Sequence, residues 1–186
     1  MSGNNIEEKK IREIINTPKN VQLHLMNCNA AVFWQACKDG YNFEDFVGKF
    51  MRSEVAKVLD LHLNYYRWEG PPSLYQDFLD ECDIWGTPLE KETRDLDIHK
   101  ISETGHWAGF IYRLAHFKTG DSSEFLVDFI PPKLLLSAYP TGHCQDPDQW
   151  IEDYIFDKDV AKYYKFFDVD NIPNNDQRAD IIIPSS

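Results

Sequence analysis

Apolar side chains recur at intervals of three and four through most of the chain, the spacing that gathers them on one face of an α-helix. Ile6, Ile11, Ile14 and Ile15 open the series and predict a short amphipathic helix. It should end before Pro18, because a residue that precedes proline avoids the α region. Leu23, Met26, Ala30, Phe33, Trp34 and Cys37 predict a core helix from about Val21 to Lys38, stopped by Asp39-Gly40. Asn42 can cap a third helix with Phe43, Phe46, Val47 and Phe50 on one side. Ser53 is a further start signal, and Val55, Val58, Leu59 and His62 continue the period, so this stretch reads as one bent helix or two. Gly70-Pro71-Pro72 breaks the pattern. Ser73 is then the expected cap of a helix that turns Leu74, Phe78, Leu79 and Cys82 inward.

Thr87-Pro88-Leu89-Glu90 has the form of a helix start, with a capping threonine, a first-turn proline and a glutamate that can reach back. The charged stretch Lys91 to Glu103 predicts only a short helix leading into an exposed connection. A central helix follows from about His106 to Lys118, with Trp107, Phe110, Ile111, Leu114 and Phe117 as its stripe and Thr119-Gly120 as its stop. Gly109 would let a neighbouring helix come close. Asp121 or Ser122 caps a short helix containing Phe125, Leu126 and Phe129, and Pro131-Pro132 leads into another at Lys133–Tyr139. Pro140-Thr141-Gly142 reads as a turn, and Asp146-Pro147 starts a last helix with Trp150, Ile151, Tyr154 and Ile155 facing the core. Only Ala179–Pro184 looks extended. The expected fold is all-α: a single-domain multi-helix bundle over residues 1–167, then an irregular tail over 168–186 whose isoleucines can dock.

Composition narrows the class. At 186 residues with 42% hydrophobic content, the chain can bury one sizeable core. Its five Trp, nine Tyr and twelve Phe fill that core or leave some aromatic surface for binding. Thirty-one acidic against nineteen basic residues give a net charge of −12, a field that repels phosphate backbones and disfavours direct nucleic-acid binding. The longest run without a charge, Asn20 to Cys37, is too polar to span a bilayer. Cys28, Cys37, Cys82 and Cys144 lack CxxC spacing and read as reduced thiols, so a soluble, cytoplasmic protein is expected.

The polar residues with chemical potential collect around the central helix. Gly109, Tyr112 and His116 share one side of it, with Arg113 adjacent, and the exit loop adds Thr119, Ser122 and Ser123 at a helix N-terminus. Free amides, hydroxyls and a guanidinium in that arrangement suit a phosphate or carboxylate, and a histidine can act as general acid or base. The same residues have ordinary structural uses: Ser122 as a cap, His116 on the last turn, and Arg113 paired with an acid. His99, His106, His116, His143 and Cys144 have no zinc-module spacing, and HExxH, P-loop and GxSxG patterns are absent, so no metal, cofactor or catalytic set is expected. Cys144 beside His143 is a candidate activated thiol without a third residue to orient the histidine. Two acidic rows remain, one at Asp77, Asp80, Glu81 and Asp83, the other from Asp146 to Asp159. Within the second, Trp150, Glu152, Asp153 and Tyr154 combine aromatic anchors with carboxylates that would steer a basic protein partner.

The segment Trp107-Ala108-Gly109-Phe110-Ile111-Tyr112-Arg113, with His116-Phe117, Thr119-Gly120, Ser122-Ser123, Tyr139-Pro140 and His143, resembles a segment of small bacterial proteins found near toxin–antitoxin-type or mobile-element genes. The resemblance covers about residues 105–155. It implies a bacterial cytoplasmic protein, the neutralising or accessory partner of a toxin, and carries over no active site. The expected function is therefore a non-enzymatic interaction protein of antitoxin or immunity type, binding a basic partner through acidic and aromatic surface. The alternative is a protein or enzyme that binds a nucleotide or other anion with Arg113, His116, Ser122 and Ser123.

Overall fold

The computed structural model describes residues 3–61 and 70–154, with side chains placed from Lys9 to Asp153 within those segments. The expectations for His62, Ile155 and the tail, and for the side chains of Ile6 and Tyr154, fall outside the described residues. Within them the chain is all-α: α1 (Gly3–Ile15), α2 (Lys19–Lys38), α3 (Phe43–Phe50), α4 (Glu54–Asp60), α5 (Pro71–Trp85), α6 (Ile98–Thr119), α7 (Ser123–Phe129), α8 (Pro132–Gly142) and α9 (Pro147–Tyr154). Among the described residues there is no strand, only one isolated bridge between Tyr41 and Lys91.

The body is built on α6 lying against α2. A Cβ on Gly105 would sit 2.9 Å from the Phe33 carbonyl oxygen, and one on Gly109 would sit 2.6 Å from that of Asn29. Only glycine permits this approach, which the sequence anticipates at Gly109. The side-chain amide of Asn29 donates to the Gly109 carbonyl at 2.8 Å and fixes the register of the pair. Around this contact Phe33 meets Phe46, Phe50 and Tyr112 edge to face, with ring centroids 5.3–6.3 Å apart. Phe78 of α5 closes the cluster against Phe46 and Phe50 at 5.1 Å. Among the described residues, most aromatic side chains are therefore core. Leu23 departs from its expected place and is exposed, while Leu25 takes the inward position on α2.

Helix starts follow local capping where no distant group competes. Asn42 accepts from the Asp45 amide at 3.0 Å and Ser53 from the Ala56 amide at 3.0 Å, so α3 and α4 are two helices. The third expected cap moves: α5 begins at Pro71 after Gly70, and Ser73 lies inside the first turn. The helix expected after Thr87 does not form. Asn42 donates to the Glu90 carbonyl, the Glu90 amide donates to Asp45 and the Glu92 amide donates to the Gly40 carbonyl, each at 2.8–2.9 Å. With those groups committed to the α2–α3 turn, residues 87–97 run as a strap across it. The Lys91 ammonium lies 3.5 Å from the Tyr41 ring centroid and closes the strap.

The central helix is longer than its apolar stripe suggests. It starts at Ile98, where Asp97 accepts from the His99 and Lys100 amides at 2.9 and 3.3 Å. Its first turn is exposed and polar, which hides it from a reading of hydrophobic period. Gly120 ends it in the left-handed region at φ 74°. The turn expected at Pro140-Thr141-Gly142 is instead the last part of α8, which carries Pro140 within it. Asp146 caps α9 by accepting from the Gln149 amide at 3.1 Å.

Candidate functional site

Three of the polar residues singled out on the central helix point inward. Tyr112, Arg113 and His116 are each about 1% exposed. What meets them is Asp60, the last residue of α4, itself buried. Arg113 Nη1 donates to Asp60 Oδ1 at 2.6 Å, and Nη2 donates to Ser123 Oγ at 3.2 Å. Ser123, the first residue of α7, gives its amide to Asp60 Oδ2 at 2.7 Å and its hydroxyl to Asp60 Oδ1 at 2.6 Å. A guanidinium, a hydroxyl and a helix-start amide thus converge on one carboxylate, which is the chemistry of an anion site. The anion it holds is the chain's own.

Burial alone pushes the Asp60 carboxyl up, but Arg113, His116 and the two Ser123 hydrogen bonds together hold it below the usual carboxylate range. His116 moves the other way. Burial, then the neighbouring Arg113 charge, lower its imidazole to about 4, so it is neutral at pH 7. Its Nδ1 lies 2.6 Å from the Asp121 carbonyl oxygen, which can only accept, and therefore carries the proton. The same Nδ1 is 3.8 Å from Asp60 Oδ1, too far for a second hydrogen bond. The Tyr112 hydroxyl donates to the Ile130 carbonyl across the α7–α8 junction, and burial holds its phenol well above the ordinary value. Ser122 faces solvent and caps α7, accepting from the Phe125 amide at 3.2 Å. The five candidate ligand residues are therefore not one open pocket: four lie in the core and Ser122 lies outside it. An external anion at Arg113 would have to displace a buried carboxylate and leave it unpaired, at a cost of about 3–5 kcal/mol.

Comparison of the chain with protein families, curated proteins and solved structures finds no match.

The acidic helix α9 differs from its expected role at one residue. Trp150 is about 1% exposed, its ring 5.0 Å from Trp107 at 79°. It closes the core over Gly142, where a Cβ would come within 2.7 Å of the Trp150 indole nitrogen. It cannot serve as a surface anchor, because the same helical face that carries Ile151 turns it inward. Glu152 and Asp153 are exposed. Glu152 shares Lys118 with Asp148, at 3.1 and 2.7 Å, and Asp153 accepts from Gln149 at 2.7 Å. Cys28, Cys37 and Cys82 are buried free thiols and Cys144 is exposed, its Sγ 3.4 Å from His143 Nε2. Among the described residues no three His, Cys, Asp or Glu side chains gather closely enough for a metal ion, and no helix is long and apolar enough to cross a membrane.

The surface that sequence reasoning missed is at the C-terminal end of α5. Ile84 and Trp85 are 77% and 71% exposed, the two most exposed large apolar side chains of the described residues. Trp85 stands in phase with Leu74, Phe78 and Cys82, so periodicity alone sends it inward. The last turn of α5 is exposed from Asp83 to Trp85, and Gly86 ends the helix there at φ 61°. Beside it lie two shallow clefts of about 600 and 300 Å³, which share Glu54, Glu81 and Trp85 in their walls.

Proposed function

We propose that this chain is a non-enzymatic interaction protein that binds a basic partner protein through acidic and aromatic surface. The observation that carries the reading is the division of labour between inside and outside. Of the residues that would have formed a ligand site, Arg113 and Ser123 are closed on Asp60 and His116 on the Asp121 carbonyl, all in the core. The exposed apolar side chains Ile84 and Trp85 stand beside the carboxylates of Asp77, Asp80 and Glu81. Exposed aromatic surface next to carboxylates suits a protein partner, since apolar contact supplies affinity while charge speeds and selects the encounter. The narrower reading, an antitoxin or immunity-type protein whose partner is a toxin, rests on the sequence resemblance from Trp107 to His143. A cytoplasmic location belongs to the same reading.

The test is co-purification of the tagged chain from its native host, with charge reversal on each acidic face in turn. A basic partner should be retained by the wild type and lost on reversal at Asp77 and Asp80 or at Glu152 and Asp153. Recovery of a partner-free monomer under conditions that preserve complexes contradicts the proposal.

A further inference from the structure

We propose that the end of α5, with α3 and the first turns of α4, is a receptor for a basic amphipathic helix of a partner protein, with Trp85 as its anchor. This rests on the basic-partner reading above and adds a place and a mode of recognition. The two clefts lie side by side, with Trp85, Glu54 and Glu81 lining both. Phe78 and Cys82 line the larger cleft, while Val55, Val58 and Ile84 line the smaller one. An apolar stripe of this kind between helices suits a partner helix that presents aliphatic side chains at i, i+3 and i+4.

Charge selects the occupant. The two linings together hold six carboxylates against two cations, a formal charge of −4. Both cations are already engaged, Lys49 with Asp45 at 2.6 Å and Arg52 with Asp128. Glu81 is also committed: its two oxygens accept from the Glu54 and Val55 amides at 2.9 and 3.0 Å and hold the start of α4 against α5. Glu44 and Glu54 also meet cations just outside the linings, Arg94 at 3.0 Å and Lys57 at 2.8 Å, and the surface remains acidic within a chain of net −12. A second copy of this chain would set like charges face to face, and phosphate-bearing partners would be repelled. A helix with lysine or arginine on either side of an aliphatic stripe meets both the carboxylates and the apolar floor.

The probe is a synthetic amphipathic helical peptide of leucine and lysine, titrated into the 15N-labelled chain, with the leucine–glutamate peptide as its control. Amide shifts should centre on residues 78–85 and on α3, weaken with added salt, and be absent with the acidic control. Trp85→Ala should raise the dissociation constant about tenfold or more while leaving the rest of the spectrum unchanged, since an exposed anchor contributes to binding and not to the core. Asp80→Lys, also at an exposed position, should weaken binding mainly at low salt. Shifts centred on Glu152 and Asp153 would overturn this placement and leave the basic-partner reading standing. No shift anywhere would overturn both. Concentration-dependent dimerisation abolished by Trp85→Ala would overturn the choice of occupant.

Discussion

Replacing Asp60 with alanine removes the charge partner of Arg113 and both Ser123 hydrogen bonds in one step. The guanidinium stays behind, about 1% exposed, with its Nε already lacking a hydrogen-bond partner in the folded chain. Removing one member of a buried pair costs about 3–5 kcal/mol, because the remaining charge is stranded. The first-turn amide of α7 also loses its acceptor, which adds about 1 kcal/mol and places the expected loss near about 5 kcal/mol. For a domain of this length, each kcal/mol lowers the melting temperature by about 2–4 °C, so a fall of about 15 °C is expected. Urea denaturation followed by circular dichroism reads the same loss as a lower midpoint at unchanged slope. The double replacement Asp60→Leu with Arg113→Met removes both charges at similar volume and should recover most of the stability, with a coupling of at least about 2 kcal/mol in the cycle. A loss below about 1 kcal/mol for Asp60→Ala, or strictly additive single changes, would refute the claim that these residues form a closed interior pair.

Two further outcomes follow from the same geometry. Gly109→Ala forces a Cβ to within 2.6 Å of the Asn29 carbonyl oxygen and 2.7 Å of Ala30 Cα, both backbone atoms that cannot swing away. Parting α2 and α6 should cost about 2 kcal/mol or more. Gly48→Ala meets only the end of the Arg52 side chain at 3.6 Å and should instead gain about 0.5–1 kcal/mol from helix propensity, so paired thermal melts separate close packing from propensity. The pH dependence has a defined sign. The His116 imidazole is lowered from 6.5 to about 4 by burial and Arg113, so on acidification the unfolded chain takes the proton first. Stability fully present above pH 6.5 should fall by about 3 kcal/mol as pH drops from 6.5 to 4, and His116→Asn should flatten the melting curve in that window. Asp60, with its carboxyl lowered, adds a loss below about pH 4, the range in which unfolded carboxylates protonate.

The helices with a clear apolar stripe were legible in the sequence, as were the stops at Asp39-Gly40 and Thr119-Gly120, because these signals are local. Asn42, Ser53 and Ser122 act as the caps that their spacing predicts. The misses share a different cause. Thr87-Pro88-Leu89-Glu90 satisfies every short-range condition for a helix start, yet the distant Asn42 amide takes the Glu90 carbonyl and the Asp45 carboxylate takes the Glu90 amide. Asp60 ends α4 like any solvated acid, and nothing near it signals a partner at Arg113, fifty-three positions later. The Arg113, His116 and Ser123 cluster was visible as an anion-seeking arrangement, and only the carboxylate that fills it was not. Trp150 has the spacing both of a core residue and of a partner anchor, and only its packing on Trp107 gives it to the core. Trp85 lies in phase with Leu74, Phe78 and Cys82 and is nonetheless exposed, which local spacing cannot show.

The Arg113 side chain gives the most direct test of whether this cluster belongs to the interior. Its Nε–H, enclosed and without a hydrogen-bond partner, should give a resolved NMR resonance that exchanges slowly with solvent. That resonance should stay in place as inorganic phosphate and ATP are added to millimolar concentration. A saturable shift of the Arg113 signal with either anion would contradict the account, because it would show the guanidinium reaching a ligand from outside.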